Sequence, residues 1–222
     1  MPARPSHPPR APLRCCLLSG GASRRMGRDK ALLSHPEGGT WLERTLALLL
    51  ALDQPVTLLS RHRAHWVLAE ALQAARDASG RAGPALTVMD EPPPWEGPLR
   101  ALARLVERYP GERLLLCPVD MPWLDAPTLA ALLAAAANDS DPERIHLAHD
   151  GLRLQPLLAM VPATEARRQR LAVALAAGER GLQRWLAGED WRPVELPPGP
   201  LRNINQPQDL GPSVLISAAC GP

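Results

Sequence analysis

The residues of this 222-residue chain best suited to chemistry are concentrated between Leu17 and Leu33, where it reads LLSGGASRRMGRDKALL. Gly20 and Gly21 end a short apolar run, Cys15 to Leu18, and open a small basic loop that closes on Met26-Gly27-Arg28-Asp29-Lys30. Glycine tolerates positive φ and carries no Cβ, so a strand breaking into a glycine pair lets backbone N–H groups converge on an anion. Arg24, Arg25, Arg28 and Lys30 add cations around the same point. Lys30 is the only lysine in the chain, every other basic position being arginine. An ammonium is a compact point charge on a thin stem and enters a crowded polyphosphate site where a planar guanidinium does not fit. Alone, such a lysine reads equally well as a residue of a solvated loop; beside the glycine pair and the arginines, the phosphate reading takes precedence. The spacing matches neither the P-loop nor Gly-x-Gly-x-x-Gly.

The elements that must position this loop follow from pattern. Thr40-Trp41-Leu42-Glu43 is a capping box that starts a helix at Thr40, with Leu42, Leu46, Leu49 and Leu50 at helical spacing behind it. Val56 to Ser60 reads as a second strand, His65 to Ala78 as a helix, and Leu86 to Met89 as a third strand ending on Asp90. Gly97-Pro98 starts a helix whose apolar face is Leu99, Leu102 and Val106. Arg113 to Cys117 is a fourth, nearly all-apolar strand, closed by Pro118-Val119-Asp120-Met121-Pro122. Strands alternating with helices in this way predict an α/β fold, a parallel sheet with helices on both faces.

Ligands of such sheets bind at the carboxyl ends of the strands. Gly20 and Gly21, Ser60 and Arg61, Asp90 and Asp120 are therefore expected along one edge. Asp90 reads as a turn or cap residue as readily as a site residue. Asp120 is set apart by following a fully buried strand directly.

In the second half, Pro127 to Ala137 reads as a helix capped by Asp125, and Ile145 to His149 as a strand. His149-Asp150-Gly151 is a hairpin turn returning through Leu154 to Val161. His146 and His149 lie three apart in a strand and point to opposite faces, which argues against chelation by the pair. Glu165 to Ala177 forms a helix ended by Gly178, Trp185 in the next short segment reads as core packing, and Val194 to Leu196 as an edge strand. Asn205 is placed to cap a short helix opened near Pro207, or else serves the site together with Asn203.

Composition bounds the rest. The length suits one domain able to bury a core without staples, here 14–211, with a Pro/Arg-rich disordered tail over 1–13 and a flexible tail over 212–222. A net charge of +2 spread along the chain gives nucleic-acid binding little support. Cys15, Cys16, Cys117 and Cys220 show neither disulfide nor zinc spacing, which fits a reducing cytoplasm. No apolar run approaches a membrane span, and the N-terminus lacks the apolar core of a signal peptide.

The stretch Leu18-Ser19-Gly20-Gly21 through Arg25-Met26-Gly27 to Asp29-Lys30 resembles the signature of the molybdenum cofactor guanylyltransferases, nucleotidyltransferases with a Rossmann-like three-layer fold. The resemblance continues through Gly97-Pro98-Leu99, Cys117-Pro118-Val119-Asp120-Met121-Pro122, the His149-Asp150-Gly151 turn and Asn203-Ile204-Asn205-Gln206-Pro207-Gln208-Asp209-Leu210. It departs at Ser19, at Arg100 and Ala101, and at Leu58-Leu59-Ser60-Arg61, which lacks an asparagine pair. What the resemblance implies is transfer of GMP from GTP to the terminal phosphate of molybdopterin, with release of pyrophosphate. It implies Arg25, Lys30 and Asp120 as catalytic residues and Mg²⁺ on Asp120. Leu18, Ser19, Gly20, Gly21, Lys30, Asp90 and Asp120 would bind GTP, and Gln155, Asn203 and Asn205 the pterin substrate. Protein contacts would be transient, with the molybdoenzymes or chaperones that take the product. Three alternatives stay open: cytidylyl transfer, against which the Gly-Gly pair argues, transfer to a sugar or polyol phosphate, and a non-catalytic carrier.

Overall fold

The computed structural model describes residues 11–80 and 83–210. Strands β1 (Leu13–Leu18), β2 (Val56–Ser60), β3 (Leu86–Asp90) and β4 (Arg113–Pro118) are mutually parallel and lie in the order β3-β2-β1-β4. Beyond β4 the sheet continues through β6 (Leu154–Pro162), β5 (Ile145–His149) and β7 (Trp191–Glu195), giving seven strands in all. Strand β6 is antiparallel to both neighbours, and β7 runs parallel to β5 at the edge.

Period-2 alternation splits the apolar residues between two faces. Cys15, Leu17, Leu115 and Cys117 pack in one core with helices α1 (Trp41–Leu50), α2 (Arg63–Ala78) and α4 (Ala126–Asn138). Cys16, Leu114 and Leu116 face a second core with α3 (Pro98–Arg108), α5 (Glu165–Ala176) and α6 (Leu182–Leu186). The result is the three-layer α/β arrangement expected, with near-continuous apolar strands because both faces are covered. In α3, Leu99, Leu102, Leu105 and Val106 are fully buried, and truncating one of them, as in Leu102→Ala, would cost about 3 kcal/mol.

Local signals act as read. Thr40 caps α1 in a reciprocal capping box with Glu43, and Asp125 caps α4 by accepting from the Thr128 N–H at 2.9 Å. The Asp150 carboxylate accepts from the N–H groups of Leu152 and Arg153 and closes the β5–β6 hairpin. Trp185 is buried in the second core.

Several boundaries move. Helix α2 starts at Arg63, and Leu13, expected as the last tail residue, begins β1. Strand β7 spans Trp191–Glu195 and tolerates Pro193 because only one of its sides is paired. The cap expected of Asn205 belongs to Gln206: the Asp209 carboxylate accepts from the N–H groups of both Asn205 and Gln206, which leaves the Asn205 side chain free for another partner. Of the expected N-terminal tail Pro12 is also held, its carbonyl accepting from the Arg113 N–H at 2.7 Å, while residues 1–10 and 212–222, with Cys220, lie outside the described residues. Among the described residues no helix is long and apolar enough to cross a membrane.

Candidate active site

Parallel order brings the carboxyl ends of β1, β2, β3 and β4 to one edge, and the loop after β1 lies across it. Met26 plugs the loop into the first core, and the N–H groups of Met26 and Gly27 donate to the Ser23 carbonyl at 3.0 and 3.2 Å. Asp29 caps a single 3-10 turn, Lys30–Leu32, by accepting from the Ala31 N–H at 3.1 Å. That turn aims Lys30 across the edge. Its Nζ donates to Asp120 Oδ2 at 2.7 Å and to Asn205 Oδ1 at 3.4 Å. Residues from three distant parts of the chain thus meet at one ammonium. Asp120 is held from behind, since its carbonyl accepts from the Ile204 N–H at 2.9 Å and the Val119 N–H donates to the Leu18 carbonyl at 3.2 Å.

Beside this group lies a cavity of about 320 Å³, lined by Leu18, Gly20, Gly21, Lys30 and Asp120 among others. That volume is of the size small-molecule sites have. Arg24 lines its basic side, and Arg61, Glu91 and Trp95 its far side. Gly97, at φ 90°, makes the turn into α3 in a region that suits glycine, and a Cβ on Gly20 would run into the end of the Glu91 side chain, which would have to shift. Gly21 has open space around it, so a ligand can approach its backbone.

Electrostatics differ across the cavity. Burial pushes the Glu91 carboxyl above its ordinary range, with Arg104 at 3.3 Å and Arg61 opposing the shift. Arg61 stacks its guanidinium 4.5 Å from the Trp95 ring centre, and the indole N–H donates to the Glu91 carbonyl at 2.7 Å. Burial also raises the thiols of Cys15, to about 12, and of Cys16 and Cys117, which therefore stay protonated and unreactive at neutral pH. Among the described residues no cluster of three or more His, Cys, Asp or Glu side chains could hold a metal on its own. A divalent ion shared with phosphates needs only one or two protein carboxylates, and Asp120, already paired with a cation, fits that role.

The family model described as the MobA-like NTP transferase domain matches residues 15–194. The chain belongs to that family. It is 35% identical over 208 residues to a probable molybdenum cofactor guanylyltransferase of Rhodopirellula baltica, covering 90% of this chain and 91% of that one. It is 34% identical to the molybdenum cofactor guanylyltransferase of Pseudomonas syringae pv. syringae, covering 84% and 85% respectively. In fold it is similar to the crystal structure of molybdopterin-guanine dinucleotide biosynthesis protein A from Archaeoglobus fulgidus, with TM-score 0.60, 19% identity, and 93% and 99% of the two chains covered.

Within this family member the expected site residues separate. Leu18, Gly20, Gly21, Lys30 and Asp120 line the cavity, and Asn205 reaches Lys30. Ser19 does not line it: the side chain is buried and its hydroxyl meets His65 Nδ1 at 3.0 Å. Arg25 and Asp90 are exposed and outside the lining, where the neighbouring residues Arg24 and Glu91 take the inward positions. Strand alternation gives the reason for the second swap, since successive side chains leave opposite faces. Asn203 Nδ2 donates to Gln155 Oε1 at 2.7 Å, and Gln155 Nε2 donates to Asp150 at 2.9 Å, a separate polar chain at the hairpin end. Sequence reading passed over Glu91, Trp95 and His65. The adjacency of Glu91 to Asp90 was a usable signal, whereas nothing local marked His65.

Proposed function

We propose that this chain transfers GMP from GTP to the terminal phosphate of molybdenum-bearing molybdopterin, releasing pyrophosphate and forming the guanine dinucleotide form of the cofactor. The observation that carries this reading is the convergence of Lys30, Asp120 and Asn205 beside a glycine loop, in a chain whose relatives are named guanylyltransferases. The incoming phosphate is already an anionic nucleophile, so no strong base is required. The barrier is repulsion between anions and charge on the departing pyrophosphate, which positioning and fixed positive charge relieve.

In this scheme the backbone at Gly20 and Gly21, with Arg24 and Arg25, cradles the β- and γ-phosphates. Lys30 offsets charge at the α-phosphate. Asp120, with Asn205 beside it, would hold Mg²⁺, which when bound would supply Lewis-acid stabilisation of the charge developing on the phosphates. Leu18 and Glu91 face the nucleoside, Glu91 taking the place expected of Asp90. A carboxylate accepts hydrogen bonds only, so Glu91 complements the N–H donors of the guanine edge. Gln155 and Asn203, at the hairpin end, meet the pterin. Transient contact with a molybdoenzyme or chaperone would carry the product away, in the cytoplasm.

The test is to incubate the protein with Mg²⁺, molybdenum-loaded pterin and each nucleoside triphosphate in turn, measuring pyrophosphate and the nucleotide joined to the pterin. Release with GTP alone, lost on omitting Mg²⁺ and in Asp120→Ala, is the expected result. Release with CTP alone would overturn the base assignment, and tight GTP binding without any release would overturn catalysis.

A further inference from the structure

His65 is the first fully buried side chain of α2, and its ring uses both nitrogens. Nε2 lies 2.8 Å from Asp29 Oδ2, while Nδ1 lies 2.8 Å from Ser60 Oγ and 3.0 Å from Ser19 Oγ. Burial holds the imidazole below its ordinary pKa, with Asp29 opposing, so the ring is neutral at pH 7. A carboxylate accepts only, so Nε2 carries the proton and donates to Asp29, leaving Nδ1 to accept from a serine hydroxyl. One ring therefore ties the ends of β1 and β2 to the residue that precedes Lys30.

Asp29 divides its carboxylate. Oδ1 accepts from the Ala31 N–H and starts the turn that carries Lys30, and Oδ2 is taken by His65. At the other end of the loop, His62 Nε2 stands 3.1 Å from the Gly21 carbonyl. The start of α2 thus grips both ends of a loop in which Gly21, Ala22, Arg24, Arg25, Gly27 and Arg28 are exposed. Between those grips the loop holds itself by the Ser23 turn, the Met26 plug and the bond from the Lys30 N–H to Ser23 Oγ at 3.3 Å. A loop ordered before its ligand arrives loses less freedom on binding, and a side chain working on phosphate must be placed to within about half an ångström.

We propose that His65 is a positioning residue for nucleotidyl transfer: through Asp29 it fixes the exit of the phosphate loop and so the direction in which Lys30 points. The proposal rests on the reading above only for its activity measurement. Hydrogen exchange in the nucleotide-free protein tests the loop itself, independently of any substrate.

Glutamine places its amide near the position of imidazole Nε2, and asparagine near that of Nδ1. His65→Gln therefore keeps the bond to Asp29 and loses the serines, whereas His65→Asn keeps the serines and loses Asp29. Exchange of the amides from 22 to 30 should rise about tenfold in His65→Asn, the effect of one hydrogen bond to a charged group, and stay near wild type in His65→Gln. The turnover number for pyrophosphate release should fall about tenfold in the former and little in the latter. Equal exchange in the two variants, or a rise spread evenly over the sheet, would overturn the proposal. Should both substitutions unfold the core, Asp29→Ser decides. Serine keeps a helix cap but cannot reach His65, so the same local rise in exchange is expected and wild-type exchange would refute the claim. If the wild-type protein releases no pyrophosphate, the proposed function fails while the exchange result still stands.

Discussion

Arginine is used in opposite ways at the two ends of this molecule. At the carboxyl edge of β1, Arg24, Arg25 and Arg28 meet no carboxylate among the described residues. Around α5, α6 and β7, Arg167, Arg168, Arg170, Arg184 and Arg192 are each paired with one. Arg167 is the extreme case. It is buried, bonded to Glu189 at 3.2 Å, and donates to the carbonyls of Pro162 and Glu143. Charge satisfied within the fold holds elements together, whereas charge left open on a glycine loop is available to an anion from outside. The first kind should register in stability and the second in turnover.

The largest effects should fall on turnover. Lys30→Ala and Asp120→Ala should each lower the rate of pyrophosphate release by at least about 10²–10³, the loss typical of one transition-state contact, with unchanged circular dichroism. Near-normal rates in either would remove the distinction drawn here. Next comes Arg167→Ala, which leaves the Pro162 and Glu143 carbonyls without their buried donor and Glu189 with Arg170 alone. Urea denaturation should show a loss of about 2–3 kcal/mol, while turnover per folded molecule stays the same.

Arg24→Ala should weaken GTP binding about three- to tenfold in a titration, an effect that shrinks as salt is added, and leave the melting temperature unmoved. A smaller effect follows from His65. Its pKa in the fold lies below the ordinary 6.5, so between the two values the unfolded chain binds more protons than the native one. Its contribution is therefore complete above about pH 6.5 and declines as pH falls through that window. Denaturation midpoints measured from pH 7.5 to 5.5 should drop accordingly, and less steeply in His65→Gln. Glu91 works in the opposite sense, because its raised pKa favours the fold at low pH and that advantage is lost as pH rises through the folded value. Last, Arg168→Ala breaks an exposed pair within α5 and should change neither stability nor rate measurably.

Much of the frame is written locally. The capping box at Thr40, the Asp125 cap, the Asp-Gly hairpin and the four apolar strands each depend on neighbours within a few residues, and each forms where its pattern lies. The parallel order then carries Gly20, Gly21 and Asp120 to one edge as a matter of topology. Apart from Ser19, whose hydroxyl turns to His65, the shifts are by one residue. Glu91 lines the cavity beside the expected Asp90, Arg24 beside the expected Arg25, and Gln206 rather than Asn205 is the cap. A motif fixes the neighbourhood, but which of two neighbours faces inward depends on where the strand or turn ends, and packing decides that.

Sequence alone therefore determined the three-layer frame, the position of the glycine loop at the sheet edge and the family, since these rest on short-range periodicity and on dense, ordered motifs. Only the tertiary structure decided that Lys30 meets Asn205, that Glu91 rather than Asp90 lines the cavity, and that His65 meets Asp29. Those contacts join residues 175, 71 and 36 positions apart, Glu91 standing against Gly20. No local pattern encodes such meetings; the closure of the sheet and the packing of α2 against it bring them about.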